Sequence, residues 1–129
     1  MISIPPRLRT TGRIVARALA AALLLAVAGC EDESDFDHDP PAGKGSLVID
    51  NITVNEINVY VDGAFVGRVG DFGDRTDDLD PGLHRLVLDQ RDGDRYHAED
   101  VDILAGRLTV VSVRLSGDIF AYDISIELQ

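Results

Sequence analysis

At 129 residues the chain has room for one domain with appendages, and its 12 basic and 23 acidic residues give a net charge of −11. Such an acidic surface repels nucleic acid and anionic lipid headgroups, which argues against a nucleic-acid partner. A membrane would therefore have to be reached by some means other than charge.

The first 29 residues differ in composition from the rest of the chain. They contain four arginines and no acidic residue, and an apolar run follows over residues 18–28. That run is too short to cross a bilayer as a helix, and a basic start before a short apolar stretch is typical of a secretory signal peptide. The sequence predicts a signal peptide over residues 1–29, and the lack of an adjacent arginine pair favours the general export route.

The apolar run ends in Val27-Ala28-Gly29-Cys30, which resembles the bacterial lipobox. The resemblance implies that Cys30 receives a diacylglycerol thioether, that the signal is cut before it, and that the new amine is often acylated. The alternative is an ordinary signal peptide with an accidental cysteine. The small residues at the cut and the position of this single cysteine favour the lipoprotein, in which several acyl chains, at about 0.8 kcal/mol per buried methylene, attach the protein to a membrane.

Processing at Cys30 changes the rest of the chain in two ways. Loss of the four signal arginines leaves 8 basic and 23 acidic residues, a net charge of −15, and lipidation leaves no free thiol. Residues 30–45 are predicted to be the lipidated cysteine and a flexible acidic tether. Because Glu31 is not the aspartate of inner-membrane retention, the same resemblance favours the outer membrane over the inner membrane in a diderm organism.

The domain predicted over residues 46–129 is all-β. Its clearest element is a hairpin at residues 57–69, where Ile57, Val59 and Val61 alternate with polar residues before an Asp62-Gly63 turn. Further strands are predicted at residues 47–49, 83–89, 101–103, 108–115 and 119–128, and an exposed acidic loop at residues 70–81. The predicted fold is a small antiparallel β-sandwich of six to seven strands.

The last predicted strand carries the most regular alternation in the chain. We expect one face of it to close the core, with the apolar residues Phe120, Tyr122, Ile124, Ile126 and Leu128. In the preceding strand, Val111, Val113 and Leu115 are expected on one face.

Several of these segments resemble, in order, the motifs of a PEGA domain over residues 45–115. They are Val59-Tyr60-Val61-Asp62-Gly63, Val66-Gly67, Leu79-Asp80-Pro81-Gly82-Leu83-His84 and Val101-Asp102-Ile103-Leu104-Ala105-Gly106. The chain departs from the family after Val69, where a Thr-Pro is usual, and in the strand at residues 119–128. The resemblance implies an envelope-associated, non-catalytic sandwich module.

Carboxylates crowd the predicted acidic loop and are the ligands that calcium prefers. The candidate ligands are Asp71, Asp74, Asp77, Asp78 and Asp80. Because the Asp-x-Asp-x-Asp-Gly run with a closing glutamate is absent, a solvated acidic loop is favoured over a calcium site. No other cofactor is predicted.

Two aromatic residues of the hairpin are a candidate ligand surface. If Val59 and Val61 face the core, Tyr60 and Phe65 point the other way. A second sheet covering that face would make both residues core, which is the favoured expectation; otherwise they form a platform for sugar rings or a partner protein.

Catalytic motifs are not evident in the mature chain. His97 with Glu99 is the nearest acid–base arrangement, and such pairs are common on strand surfaces. The favoured function is therefore a lipid-anchored envelope protein with a non-catalytic binding or structural module, whose partner is an envelope protein or a glycan. The alternatives are a calcium-stabilised carbohydrate- or protein-binding domain and a hydrolase that uses the loop carboxylates.

Overall fold

A computed structural model describes residues 36–129 of the chain, which form eight β-strands. The predicted signal peptide, the lipobox with Cys30 and the first part of the tether lie outside the described residues. In chain order the strands are β1 (Gly45–Asn51), β2 (Ile57–Val61), β3 (Ala64–Val69), β4 (Asp74–Leu79), β5 (Gly82–Gln90), β6 (Tyr96–Ile103), β7 (Leu108–Leu115) and β8 (Tyr122–Leu128). Within residues 36–129, no helix is long and apolar enough to cross a membrane.

The strands form two four-stranded sheets. The first sheet has the order β4-β1-β7-β8 and the second sheet has the order β3-β2-β5-β6. Neighbouring strands are antiparallel except β1 and β7, which run parallel. The predicted all-β sandwich is confirmed, with one strand more than expected and one parallel pair.

The core lies between the two sheets and follows the period-two pattern of each strand. Its buried side chains are Leu47, Ile49, Ile57, Val59, Val61, Val69, Leu86, Leu88, Val101, Ile103, Val111, Val113 and Tyr122. Each large aliphatic side chain contributes about 1.5–3 kcal/mol by burial. Because alternation marks these residues in the sequence, most of this core could be predicted.

The hairpin of β2 and β3 has the predicted turn. Asp62 and Gly63 have positive φ angles of 52° and 82°, as a two-residue turn of the I′ type requires. Val59 pairs with Gly67 while Tyr60 pairs with Phe65, so one extra residue of β3 forms a bulge beside Gly67.

Strand β4 corrects the prediction of an exposed loop over residues 70–81, which is wrong for Asp74–Leu79. The acidic sequence of this segment has low strand propensity, but its backbone pairs with β1 from Leu79 opposite Gly45 to Asp74 opposite Asp50. Pairing with a neighbouring strand outweighs intrinsic propensity here. The charged side chains suit an edge strand, because they discourage pairing with a second molecule.

Strand β8 joins the sandwich by pairing with β7, but the expectation that its whole apolar face is core is wrong. Tyr122 is buried and Ile124 packs against the core, whereas Ile126 and Leu128 are 41% and 51% exposed. Phe120 precedes the strand and is exposed, and Leu115 of β7 is also exposed rather than core. Because β8 is the edge strand of the first sheet, only its beginning packs onto the core.

Residues 36–44, assigned to the tether by the sequence, contact the first sheet. Phe36 packs against the outward-facing side chains of Val48, Leu108 and Val110. In addition, His38 Nε2 lies 2.8 Å from an Asp78 carboxylate oxygen. The chain therefore enters the sandwich on the outer face of the first sheet, and β1 begins at Gly45, one residue before the predicted domain boundary.

Candidate functional site

The outer face of the second sheet carries a pair of aromatic rings, one exposed and one half-buried. Tyr60 on β2 and Phe65 on β3 are cross-strand partners, and their ring centroids lie 5.5 Å apart with an interplanar angle of 61°. The expectation that a second sheet covers these residues is wrong, since Phe65 is 53% exposed. The first sheet packs on the opposite side, against Val59 and Val61. The alternative, an exposed aromatic platform, is what the structure contains.

A third ring extends this surface. Tyr96, at the start of β6, is 53% exposed and pairs with Asp89 of β5, while Val87 of β5 pairs with Tyr60. These residues line a depression of about 380 Å³ together with Gly63. We call the surface formed by Tyr60, Phe65, Val87, Asp89 and Tyr96 the aromatic face.

Tyr96 was missed by sequence reasoning. The predicted strand began at Val101, because the segment before it is polar and shows no strong alternation. The available signal was the alternation of side chains along a strand. Tyr96 is an odd number of residues from Val101 and Ile103, so in a strand that extends back to it, Tyr96 faces away from the core.

The loop before β8 is held beside Tyr96. The backbone N–H of Tyr96 donates to the carbonyl oxygen of Phe120 at 3.1 Å. The guanidinium group of Arg95 donates to the carbonyl oxygens of Asp118 and Ala121. The backbone of Phe120, whose side chain is exposed, therefore lies next to Tyr96 at the edge of the aromatic face.

Polar groups are interleaved with the rings. Arg68 Nε donates to Asn58 Oδ1 at 3.0 Å, and its guanidinium carbon lies 5.9 Å from the centroid of Phe65. Arg85 and Asp100, neighbours across β5 and β6, form an ion pair at 3.1 Å. In contrast, the carboxylate of Asp89 forms no hydrogen bond or ion pair with any side chain or backbone group of residues 36–129.

The turn at one end of the aromatic face is fixed by His84. Its Nδ1 lies 2.6 Å from Asp62 Oδ2, and its Nε2 lies 2.7 Å from the carbonyl oxygen of Asp80. The carbonyl of Asp80 and then the Asp62 carboxylate raise the pKa of His84 above 6.5. The backbone N–H of Arg85 and then His84 lower the pKa of Asp62. These contacts hold Asp62-Gly63 in place against β5.

The candidate calcium ligands are dispersed by the structure. Asp77 binds Arg75 in a two-pronged contact at 2.7 and 2.8 Å, whereas Asp78, its neighbour on β4, accepts hydrogen bonds from Ser46 and His38. Because successive residues of a strand point to opposite faces, these two carboxylates face apart. The hydrogen bond from Ser46, followed by that from His38, lowers the pKa of Asp78.

The other three candidates lie elsewhere. Asp80 pairs with Lys44 at 2.6 Å, which lowers the pKa of Asp80. Asp74 stands opposite Asp50, whose pKa is raised by burial and then by the Asp74 charge. Asp71 lies in the loop before β4 and lines a separate polar depression. Among residues 36–129 there is no group of three or more histidine, cysteine or acidic side chains that could hold a metal ion.

The His97–Glu99 pair proposed from the sequence is present. His97 Nε2 lies 3.0 Å from Glu99 Oε2, as expected for residues on the same face of one strand. No third polar side chain of residues 36–129 hydrogen-bonds to either one, so the pair is not connected to a nucleophile in the described part of the chain.

Comparison with known proteins bears on the fold. No protein-family model matches the chain, and no curated protein matches it. The chain is similar in structure to the N-terminal domain of AlgF from P. aeruginosa, with a TM-score of 0.52, 16% sequence identity, and coverage of 67% of this chain and 96% of that one. At this level of identity the similarity shows a shared β-domain fold.

Proposed function

We propose that this chain is an exported, lipid-anchored envelope protein whose β-sandwich is a non-catalytic binding module, and that the aromatic face is its contact surface. The observation that carries the proposal is the exposure of Phe65 and Tyr96, with half-buried Tyr60 between them, on one sheet face, where a core role would have buried all three. Exposed aromatic residues gathered on one surface are characteristic of binding sites. The resemblance to PEGA domains supports a module of this kind.

The N-terminal end of the described residues and the aromatic face lie on opposite sides of the sandwich. Phe36 docks on the outer face of the first sheet, and the aromatic face is on the outer face of the second sheet. The segment that begins at Phe36 therefore lies on the side opposite to the proposed contact surface. This arrangement leaves the aromatic face accessible to a partner in the envelope.

Metabolic labelling tests the anchor. Cells that express the full-length protein are grown with radioactive palmitate, and the protein is compared with a Cys30→Ser variant. We expect label in the parent and none in the variant, because Cys30 is the single cysteine of the chain. Label that persists in the variant would remove the lipid anchor from the proposal.

Site-specific crosslinking tests the contact surface. A photoreactive amino acid is incorporated at Tyr96 in the full-length protein, with the same substitution at Phe72 as the matched control. Both positions are exposed aromatic residues, but Phe72 lies in the loop between β3 and β4. We expect crosslinked products from Tyr96 and not from Phe72; equal products, or none, would contradict a contact role for this face.

A further inference from the structure

We infer that the aromatic face binds a glycan chain composed of neutral or amino sugars. This inference rests on the proposed function and specifies the ligand class of the same surface. Its geometric basis is a row of aromatic residues across the sheet, with exposed Phe65 on β3, half-buried Tyr60 on β2 and exposed Tyr96 on β6, followed by the exposed residue Phe120 in the loop whose backbone bonds to Tyr96. The chain has seven phenylalanine and tyrosine residues in total, so most of its aromatic content is placed in this row.

The dimensions of the row suit an extended ligand. The strand order β3-β2-β5-β6 puts three strand spacings between Phe65 and Tyr96, and each spacing is about 4.8 Å. The row therefore runs for roughly 14 Å across the sheet before Phe120 is added. The depression between Tyr60 and Tyr96 has a volume of about 380 Å³, at the small end of the range of about 300–1,000 Å³ for ligand pockets.

The polar groups between the rings favour a sugar over a protein as the ligand. A protein interface has a continuous apolar centre from which unpaired charges are depleted. Here Asn58, Asp89 and the Arg85–Asp100 ion pair stand between or beside the rings. A pyranose matches this alternation, since its C–H groups stack on a ring face while its hydroxyl groups donate to neighbouring oxygens.

The Asp89 carboxylate favours a ligand that donates hydrogen bonds. It lines the depression and has no hydrogen-bond or ion-pair partner in residues 36–129. Sugar hydroxyl or ammonium groups can satisfy its lone pairs through charge-assisted hydrogen bonds. An apolar protein surface would instead bury this charge unpaired, which is costly.

Charge excludes acidic glycans from this inference. Both arginines on the aromatic face already have partners: Arg68 contacts Asn58 and Phe65, and Arg85 pairs with Asp100. The mature chain has 8 basic and 23 acidic residues, a net charge of −15 once the signal arginines are removed. A polyanionic glycan would therefore meet long-range repulsion, which Arg68, bonded to the neutral amide of Asn58, offsets only locally.

The experiment is a binding titration of full-length protein in detergent micelles. The probes are a tetramer of N-acetylglucosamine, a tetramer of glucosamine and a tetramer of galacturonic acid, each followed by isothermal calorimetry. Tyrosine emission provides a second signal, since the chain has three tyrosines and no tryptophan, and two of those tyrosines line the depression. We expect the neutral or the amino tetramer to bind and the acidic one not to bind.

Substitutions in the aromatic row test whether the sugar tetramers bind there. Tyr60→Ala and Tyr96→Ala should each weaken binding by about tenfold or more, corresponding to about 1.4 kcal/mol. Phe72→Ala, an exposed aromatic outside the row, should leave it unchanged. Circular dichroism of each variant checks that the sandwich is folded.

Three results would overturn the inference: no binding of either non-acidic tetramer at millimolar concentration, equal binding by the face variants, or binding of the acidic tetramer at least as tightly. The crosslinking experiment separates these failures from failure of the proposed function. If the tetramers do not bind but Tyr96 crosslinks to a protein, the binding module stands and the glycan class is wrong. If Tyr96 yields no product either, both are wrong.

Discussion

At the scale of single residues, His84 makes the sharpest pH prediction. Its two ring nitrogens face acceptors, the Asp62 carboxylate and the Asp80 carbonyl, so both contacts are hydrogen bonds only when the ring is protonated. The folded-state pKa is accordingly raised above 6.5. The resulting stabilisation is complete below the unfolded pKa near 6.5 and is lost as the pH rises through the higher folded value.

Two measurements check this prediction. In an NMR titration, we expect the ring of His84 to titrate above pH 6.5, and Asp62→Asn to shift its pKa downward. In thermal unfolding, the fall in melting temperature above that pH should be smaller in His84→Gln than in the parent. A ring that titrates at or below the ordinary value would contradict the bonded geometry.

Gly67 provides a second prediction at this scale. Arg75 of β4 reaches across to the second sheet, where it donates to the carbonyl of Val66, and Asp77 holds its guanidinium group. Gly67 has a φ of +148°, and a Cβ there would overlap the guanidinium group of Arg75. We expect Gly67→Ala to destabilise the domain by about 1–3 kcal/mol, because both the backbone and the inter-sheet contact are affected.

The matched control is Gly70→Ala. A Cβ at Gly70 meets nothing within 4 Å, so the change should stay within about 0.5 kcal/mol. Urea unfolding of the two variants measures the difference. Equal midpoints for both would show that the contact between Arg75 and the bulge contributes little to stability.

At the scale of strands, the alternation of apolar and polar residues predicted some strands but missed β4. In β2 the apolar residues alternate, so the sequence predicts Val59 and Val61 on one face, and both are buried in the core. In β4 the residues are polar throughout, and the strand exists because its backbone pairs with β1 and Arg75 bonds across the sandwich edge. The pairing with β1 joins residues far apart in the chain, which local patterns cannot report.

Strand β8 tests how much an edge strand contributes. Deleting residues 119–129 removes the partner of β7 and the buried Tyr122, and uncovers Val111 and Val113. At about 1.5–3 kcal/mol per buried large side chain, the loss is comparable to a typical total stability of about 5–15 kcal/mol. We expect the truncated protein to be unfolded or aggregated.

Point variants separate the two ends of β8. Tyr122→Ala should cost about 3 kcal/mol or more, as for other large-to-small core substitutions. Leu128→Ala, at a position that is half exposed, should cost less than about 1 kcal/mol. Thermal unfolding is the measurement, and similar losses at both positions would show that the exposed end is also structural.

At the scale of the whole molecule, the sequence identified part of the aromatic face. The alternation of side chains along the hairpin predicts Tyr60 and Phe65 on the side away from Val59, and the structure has them there. Whether another layer covers that side depends on where the remaining strands pack, so the sequence could not decide between core and platform. Tyr96 and Phe120 join the row only through the pairing of β5 with β6 and a hydrogen bond from β6 to the loop before β8.

The overall charge leads to a prediction about salt and calcium. With a net charge of −11 over the full sequence, like charges repel one another across the folded surface, and salt screens this repulsion. We therefore expect the melting temperature of the full-length protein to rise with sodium chloride. Because Asp77 and Asp78 face apart and Asp80 pairs with Lys44, calcium chloride at the same ionic strength should give a similar rise. A larger rise in melting temperature with calcium, reversed by a chelator, would instead show a specific calcium site. An ion that binds only the folded state stabilises that state by mass action.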